Sequence, residues 1–220
     1  MEKSVERLLD YGSQPENITA DRLRVMISDI TRLFVRLMLQ AGFERRQITR
    51  ITTKFRDAGR RSPPWQPASK KVPGRPQNGA DGNRRLRWLF GAEHKFYADE
   101  VTATLVEIKY YLQALSFDNA PPLPNGSLET VFSWLIEHPV RPGEYLDPIQ
   151  LEHIDARAVI SDARLIQSGH LIPLDRGGKH EPRNAFLMLA RSNQLQGNLT
   201  LDELLALMET ILARHRQRRS

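Results

Sequence analysis

The residues best suited to chemistry lie close together near the end of the chain. His170, Asn184 and Asn193 stand 14 and then 9 residues apart, in a stretch that also holds Gly177-Gly178, Lys179, His180, Arg183 and Arg191. An imidazole, with an ordinary pKa of about 6.5, can take or give a proton near neutral pH. The chain has no cysteine. That excludes disulfide scaffolds, thiolate zinc ribbons, iron–sulfur ligation and cysteine nucleophiles together. Any metal must be held by oxygen or imidazole ligands, and the fold must stand on its hydrophobic core.

Short elements must position these groups. Ala163 to Leu174 alternates as a β-strand does, with His170 among apolar residues, and Gly177-Gly178 permits a tight reversal. Ala185 to Ala190 reads as a second strand, and Ser192 or Asn193 opens a helical region that Gly197 interrupts. Thr200 caps a last helix from Leu201 to about Arg214, with Leu204, Leu205, Leu207, Met208, Ile211 and Leu212 expected to be buried. Strand, loop, strand and helix thus bring His170, Asn184 and Asn193 into one small unit.

This unit resembles the HNH nuclease family, whose fold is the ββα-metal fold. His170-Leu-Ile-Pro173, Gly177-Gly178, Asn184 and Asn193 stand where that family has its His-x-x-Pro start, its glycine loop, its central asparagine and its final His or Asn. The likeness covers only residues 163–197 or so. It implies that His170 is the general base that deprotonates an attacking water, and that Asn184 holds the loop and helps orient His170. It implies that Asn193 offers its amide oxygen to a divalent cation, Mg²⁺ first and Mn²⁺ or Zn²⁺ as alternatives, which would bind the scissile phosphate and the leaving 3′ oxygen.

One departure matters. The family's aspartate before the histidine is Gly169 here, so another acid must reach the metal or the site is weakened. Asp147, Glu152, Asp155, Asp162 and Asp175 are the neighbouring acids, and linear sequence does not choose among them. With no cysteine for a zinc brace, Glu144-Tyr-Leu-Asp-Pro-Ile149 is the segment that could brace the unit. Lys179, His180, Arg183 and Arg191 flank the site as candidate phosphate contacts.

The N-terminal part reads as helical. Ser4 to Asp10 forms a short helix, and a longer one starts at Thr19 with Leu23, Met26, Ile30, Leu33, Phe34, Leu37 and Met38 on one face. Gly42 ends it, and a third helix runs from about Glu44 to Asp57 with Ile48, Ile51 and Phe55 inward. The junction resembles a helix-turn-helix, with Met38 where a small residue is usual; an ordinary helical hairpin reads equally well. Arg45, Arg46, Gln47, Thr49, Arg50, Thr53 and Lys54 form its expected outer face, suited to phosphates and major-groove base edges.

Charge is unevenly placed. The formal net charge is +6, yet Arg60 to Arg87 alone carries eight basic residues against Asp81, among several prolines and glycines. Such a segment suits a flexible basic linker, either a solvated tether or an arm along a phosphate backbone. Beyond it, Glu93 to Leu115 shows a helical stripe through Tyr97, Val101, Leu105, Ile108 and Leu112, and Ser127 is expected to cap a helix ending before His138-Pro139.

The expected architecture is mainly α with a small α+β unit. It comprises a helical, helix-turn-helix-like DNA-binding module at 1–58, a basic linker at 59–92, and at 93–220 a helical platform with an HNH-like core at about 144–214. The expected function is a metal-dependent HNH-type DNA endonuclease acting on double-stranded DNA, as in restriction or phage defence. A homodimer would let two sites cut both strands. The alternatives are a non-catalytic DNA-binding regulator on a degenerate HNH scaffold and an RNase toxin. No apolar run is long enough to span a membrane, and no basic-then-apolar leader opens the chain, so a cytoplasmic protein without membrane contact is expected.

Overall fold

The central helix is apolar on nearly every side, and its surroundings follow from that. The structure, a computed structural model, describes residues 2–14, 17–62, 85–124 and 126–219. Helices α1 (Glu2–Gly12), α2 (Ala20–Gln40) and α3 (Arg45–Gly59) lead to a two-residue antiparallel pair, β1 (Arg61–Ser62) with β2 (Arg85–Leu86). The central helix α4 (Glu100–Leu115) follows, then the short helices α5 (Ser127–Val131), α6 (Ser133–Ile136) and α7 (Ala156–Ser161). The antiparallel hairpin β3 (Ile166–His170) and β4 (Ala185–Leu189) comes next, followed by α8 (Ala190–Gln196) and α9 (Leu201–Arg219). The chain is mainly α with a small hairpin-and-helix unit.

Local sequence explains the boundaries. Thr19 Oγ1 accepts from Arg22 N to start α2, and Glu44 with Gln47 forms a capping box at α3. Gly42, at φ +89°, makes the turn between them. The helix expected from Glu93 starts only at Glu100, because the Asp99 carboxylate accepts from Thr102 N at 2.9 Å and from Thr102 Oγ1 at 2.6 Å. The helix expected from Ser127 is two short pieces meeting at Phe132.

One hydrophobic core joins the N-terminal helices, α4 and the hairpin. Phe34, Phe55, Tyr110 and Tyr111 pack at its centre, Phe55 and Tyr111 edge to face at 5.1 Å. Four polar residues of α4 are buried too, and three of them tie a neighbour in place. Glu107 pairs with Arg60 at the end of α3, Gln113 Oε1 accepts from Leu187 N of β4 at 3.1 Å, and Lys109 Nζ donates to Pro182 O. The helix therefore fixes the hairpin relative to α3.

The basic segment is described only at its ends, and residues 63–84, with Lys70, Lys71, Arg75 and Arg84, lie outside the described residues. Arg87, expected as linker charge, is instead buried, its guanidinium donating to Gly59 O, Ala58 O and Phe96 O. It satisfies carbonyls that the end of α3 leaves without helical partners. A second correction concerns α9. Of the six residues expected to be buried, only Leu204 is; Leu205, Leu207, Met208, Ile211 and Leu212 are exposed, because among the described residues nothing covers that face.

Candidate active site

The β3–β4 register pairs Gln167 with Met188, Gly169 with Phe186, and His170 with Ala185. Successive side chains of a strand point to opposite faces. Gly169 and His170 therefore serve different faces of the hairpin.

On one face, His170 meets His180 and the end of α3. His170 Nε2 lies 3.0 Å from His180 Nδ1, and His180 Nε2 lies 2.7 Å from Gly59 O. A carbonyl only accepts, so His180 carries its proton on Nε2. Neutral His180 then accepts at Nδ1, so His170 must donate from Nε2. The remaining lone pair of His170 is on Nδ1. Burial, with the Arg87 guanidinium nearby, pushes the His170 pKa down to about 4 and holds that of His180 well below the ordinary imidazole value. Both rings are uncharged at neutral pH. His180, expected at a phosphate, is buried inside this chain of hydrogen bonds instead.

Asn184 is a buried latch across the loop. Its Oδ1 accepts from Ile172 N at 2.7 Å, and its Nδ2 donates to Ile172 O and Lys179 O, each at 2.9 Å. Leu171 N also donates to Asn184 O at 3.1 Å, so the residues after His170 are held from both sides. Gly178 lets the loop close on itself: a Cβ there would stand 2.0 Å from Ile172 O.

Asn193 belongs to the other face. It lies inside α8 rather than at its cap, and its Nδ2 donates to Gln167 Oε1 at 2.6 Å. A Cβ on Gly169 would fall 2.9 Å from Asn193 Oδ1 and 2.5 Å from both Sδ and Cε of Met188. The structure thus joins His170 to His180 and Asn193 to Gln167, without bringing His170 and Asn193 onto one face.

A divalent cation does not fit these donors. Mg²⁺ is ordinarily held through one or two carboxylates together with waters and substrate phosphates. Gly169 supplies none, and among the described residues no three His, Cys, Asp or Glu side chains gather as metal ligands. Four of the five neighbouring acids are otherwise engaged. Asp147 is fully buried and accepts from Ile149 N, Gln150 N, Leu189 N and Ser192 Oγ. Asp155 and Asp162 cap short helices and Asp175 pairs with Lys95, while Glu152 is exposed in the loop after Asp147.

No protein-family model matches this chain, and no curated protein matches it. Among solved structures it is similar to one described as "Crystal structure of a type II restriction endonuclease", at 22% identity and a TM-score of 0.47. The alignment covers 56% of this chain and 55% of that one, so the chain spans about half the length of that neighbour.

The unit is braced from α4 and from residues 144–149. Tyr145 Oη donates to Leu187 O, and Asp147 holds the start of α8 through Leu189 N and Ser192 Oγ at 2.7 and 2.8 Å. Gln196 Nε2 donates to His170 O and Leu171 O, both at 3.0 Å, which fixes α8 against the end of β3. Lys179 and Arg191 are exposed, and Lys179 borders a cleft of about 500 Å³ with Lys95, Tyr97, Gly177 and Glu181. Arg183 is exposed and pairs with Glu181.

On α3, Arg45, Arg46, Thr49 and Arg50 are exposed, whereas Gln47 is half-buried in the capping box. Lys54, expected outward, is turned in and donates to Ala163 O and to Ile166 O at the start of β3. The N-terminal half of α3 faces solvent and its C-terminal half holds the site. Nothing in the linear sequence points to Arg87, the Gly59 carbonyl or Met188 as parts of this site. The recurrence of histidine ten residues apart across a Gly-Gly loop was the one available signal for the His170–His180 pair.

Proposed function

We propose that the chain is a phosphodiester-hydrolysing DNA endonuclease of the HNH kind, with His170 Nδ1 as its general base. One observation carries this reading: the Gly59–His180–His170 hydrogen bonds leave a neutral imidazole with its only free lone pair on Nδ1. A water attacking phosphorus would give its proton to that nitrogen as the bond to the 3′ oxygen opens. Asn184 sets the loop that follows the base, and Asn193 belongs to the hairpin-and-helix unit rather than to proton transfer.

The proposed substrate is double-stranded DNA, in the setting of restriction or phage defence. Exposed Lys179 and Arg191 beside the hairpin would contact phosphates, and Arg45, Arg46, Arg50 and the neighbouring Gln47 on α3 would contact the duplex. In this reading residues 1–58 serve recognition, 59–92 join the parts, and about 144–214 form the cleavage unit. The family likeness brings Mg²⁺, with Mn²⁺ or Zn²⁺ as alternatives, but the chain's own donors do not make a site for such an ion. No step is assigned to it.

A second reading has its own observation. Met188 fills the space beside Gly169 where a ligand carboxylate would stand, which favours a DNA-binding regulator on a scaffold that no longer cuts. Supercoiled plasmid incubated with the protein in Mg²⁺, Mn²⁺, Zn²⁺ or EDTA separates the two, with an RNA substrate in parallel. Nicking in any arm that His170→Ala abolishes supports the nuclease. A clear gel shift with no nicking in every arm supports the regulator, and cleavage of RNA alone moves the substrate class.

A further inference from the structure

We propose that α9 is a self-association helix, which pairs antiparallel with α9 of a second copy of this chain about a two-fold axis at Met208. The proposal does not depend on the nuclease reading. Every residue from Leu205 to Arg219 is exposed. Leu205, Leu207, Met208, Ile211 and Leu212 are each 44–52% exposed, the largest grouping of exposed apolar side chains on one described helix. A lone helix of about 12–15 residues is marginal in water, and most helical stability comes from packing an apolar face. The base of α9 is tied to the body by the buried Leu204 and by the Arg176–Glu203 ion pair at 2.7 Å.

The spacing and the charge name the partner. Leu201, Leu205, Met208 and Leu212 recur at intervals of four, three and four, with Ile211 beside them, which is the seam of a two-helix coiled coil. The first part of α9 carries Asp202, Glu203 and Glu209, and the last part carries Arg214, Arg216, Arg218 and Arg219. A parallel pair would set arginine against arginine. An antiparallel pair sets acid against base and opposes the two helix dipoles favourably. With the axis at Met208, Met208 faces its own counterpart, Leu205 faces the partner's Ile211, and Asp202 faces the partner's Arg214. A two-fold contact of this kind is self-complementary and closes at two copies.

The test is the mass of the full chain by light scattering and sedimentation, from low to high micromolar protein. The wild type should run as a dimer. Met208→Glu should halve the mass, with the thermal transition of the body retained, since residues 205–219 contribute nothing to its core. Asp202→Arg should weaken the dimer at low salt, and adding Arg214→Asp to it should restore the wild-type mass. A wild type that stays monomeric throughout overturns the proposal. So does a dimer that survives Met208→Glu, or a charge-reversed double variant that fails to recover.

Discussion

Gly59 and His180 are 121 residues apart, yet the His180 Nε2–H donates to the Gly59 carbonyl at 2.7 Å. The same oxygen accepts from Arg87 Nε at 2.9 Å. The last carbonyls of a helix have no partner within the helix. Here those of α3 are capped by His180 of the loop between β3 and β4 and by Arg87 just after β2, so the N-terminal helices set the state of the candidate base.

Removing His180 should therefore loosen His170 before it unfolds anything. His180→Ala leaves Gly59 O bonded to Arg87 and deprives His170 Nε2 of its acceptor. The expected cost is about 1–3 kcal/mol of stability, measured by urea unfolding. Nitrogen-15 NMR of the imidazoles should show His170 protonated at Nε2 in the wild type and in mixed tautomers in the variant. Loss of proton transfer in His170→Ala should lower cleavage by about 10²–10⁴-fold, with a smaller loss in His180→Ala. A His170 protonated at Nδ1 in the wild type would sink the assignment of the base.

Acid should weaken the fold in a window to which these two rings and His138, also lowered by burial, contribute. Both are held neutral by burial beside the Arg87 cation, His170 with its pKa near 4 and His180 well below its ordinary value. An unfolded histidine takes up its proton near pH 6.5. Between about pH 6.5 and 4 the unfolded chain thus binds more protons, so stability falls as pH falls. The Asp162 carboxylate, at about 2, acts only below the ordinary carboxylate range, outside this window. Glu107, raised by burial, acts with the opposite sign, favouring the fold at low pH. Comparing wild type with His180→Gln cancels the carboxylates: the melting temperature of the variant should depend less steeply on pH between 6.5 and 4.

Gly169 is a packed position rather than an empty ligand place. Gly169→Asp pushes its Cβ into Met188 Sδ and Cε, and should cost about 1–3 kcal/mol by overpacking. Adding Met188→Ala should recover part of that loss by giving the carboxylate room beside Asn193 Oδ1. A thermal shift with Mn²⁺ in the double variant, larger than in the wild type, is the expected sign that the missing donor was the carboxylate. No recovery in the double variant would show that Met188 is not what excludes the side chain.

The parts of the fold set by local chemistry were legible in the sequence, and the parts set by distant packing were not. Thr19, Gly42 and Thr200 mark helix ends through side-chain and backbone geometry of their own. The β3–β4 hairpin follows from alternation around Gly177-Gly178. Arg87 reads as linker charge because only the fold reveals the α3 carbonyls it reaches, and His180 reads as a surface cation because its partner Gly59 lies far away in sequence. The stripe of α9 was visible, but a stripe cannot say whether its own chain covers it. The spacing of His170, Asn184 and Asn193 was equally visible, whereas the face each takes depends on strand register.

Asp147 offers the most direct test of what holds the hairpin and α8 together. Its Oδ2 accepts from Leu189 N at 2.7 Å, while Oδ1 accepts from Ser192 Oγ at 2.8 Å, Gln150 N at 2.7 Å and Ile149 N at 2.9 Å. The residue is fully buried, so water cannot replace it. Asp147→Ala strands all four donors and should cost about 3–5 kcal/mol, as breaking a buried charged network does. Asp147→Asn keeps one oxygen for the Oδ1 partners but turns an N–H toward Leu189 N, so it should fall between the two. Hydrogen exchange should localise both losses to residues 185–196, with α1 and α2 unaffected. Uniform loss across the chain would mean that the brace and the N-terminal helices unfold as one unit.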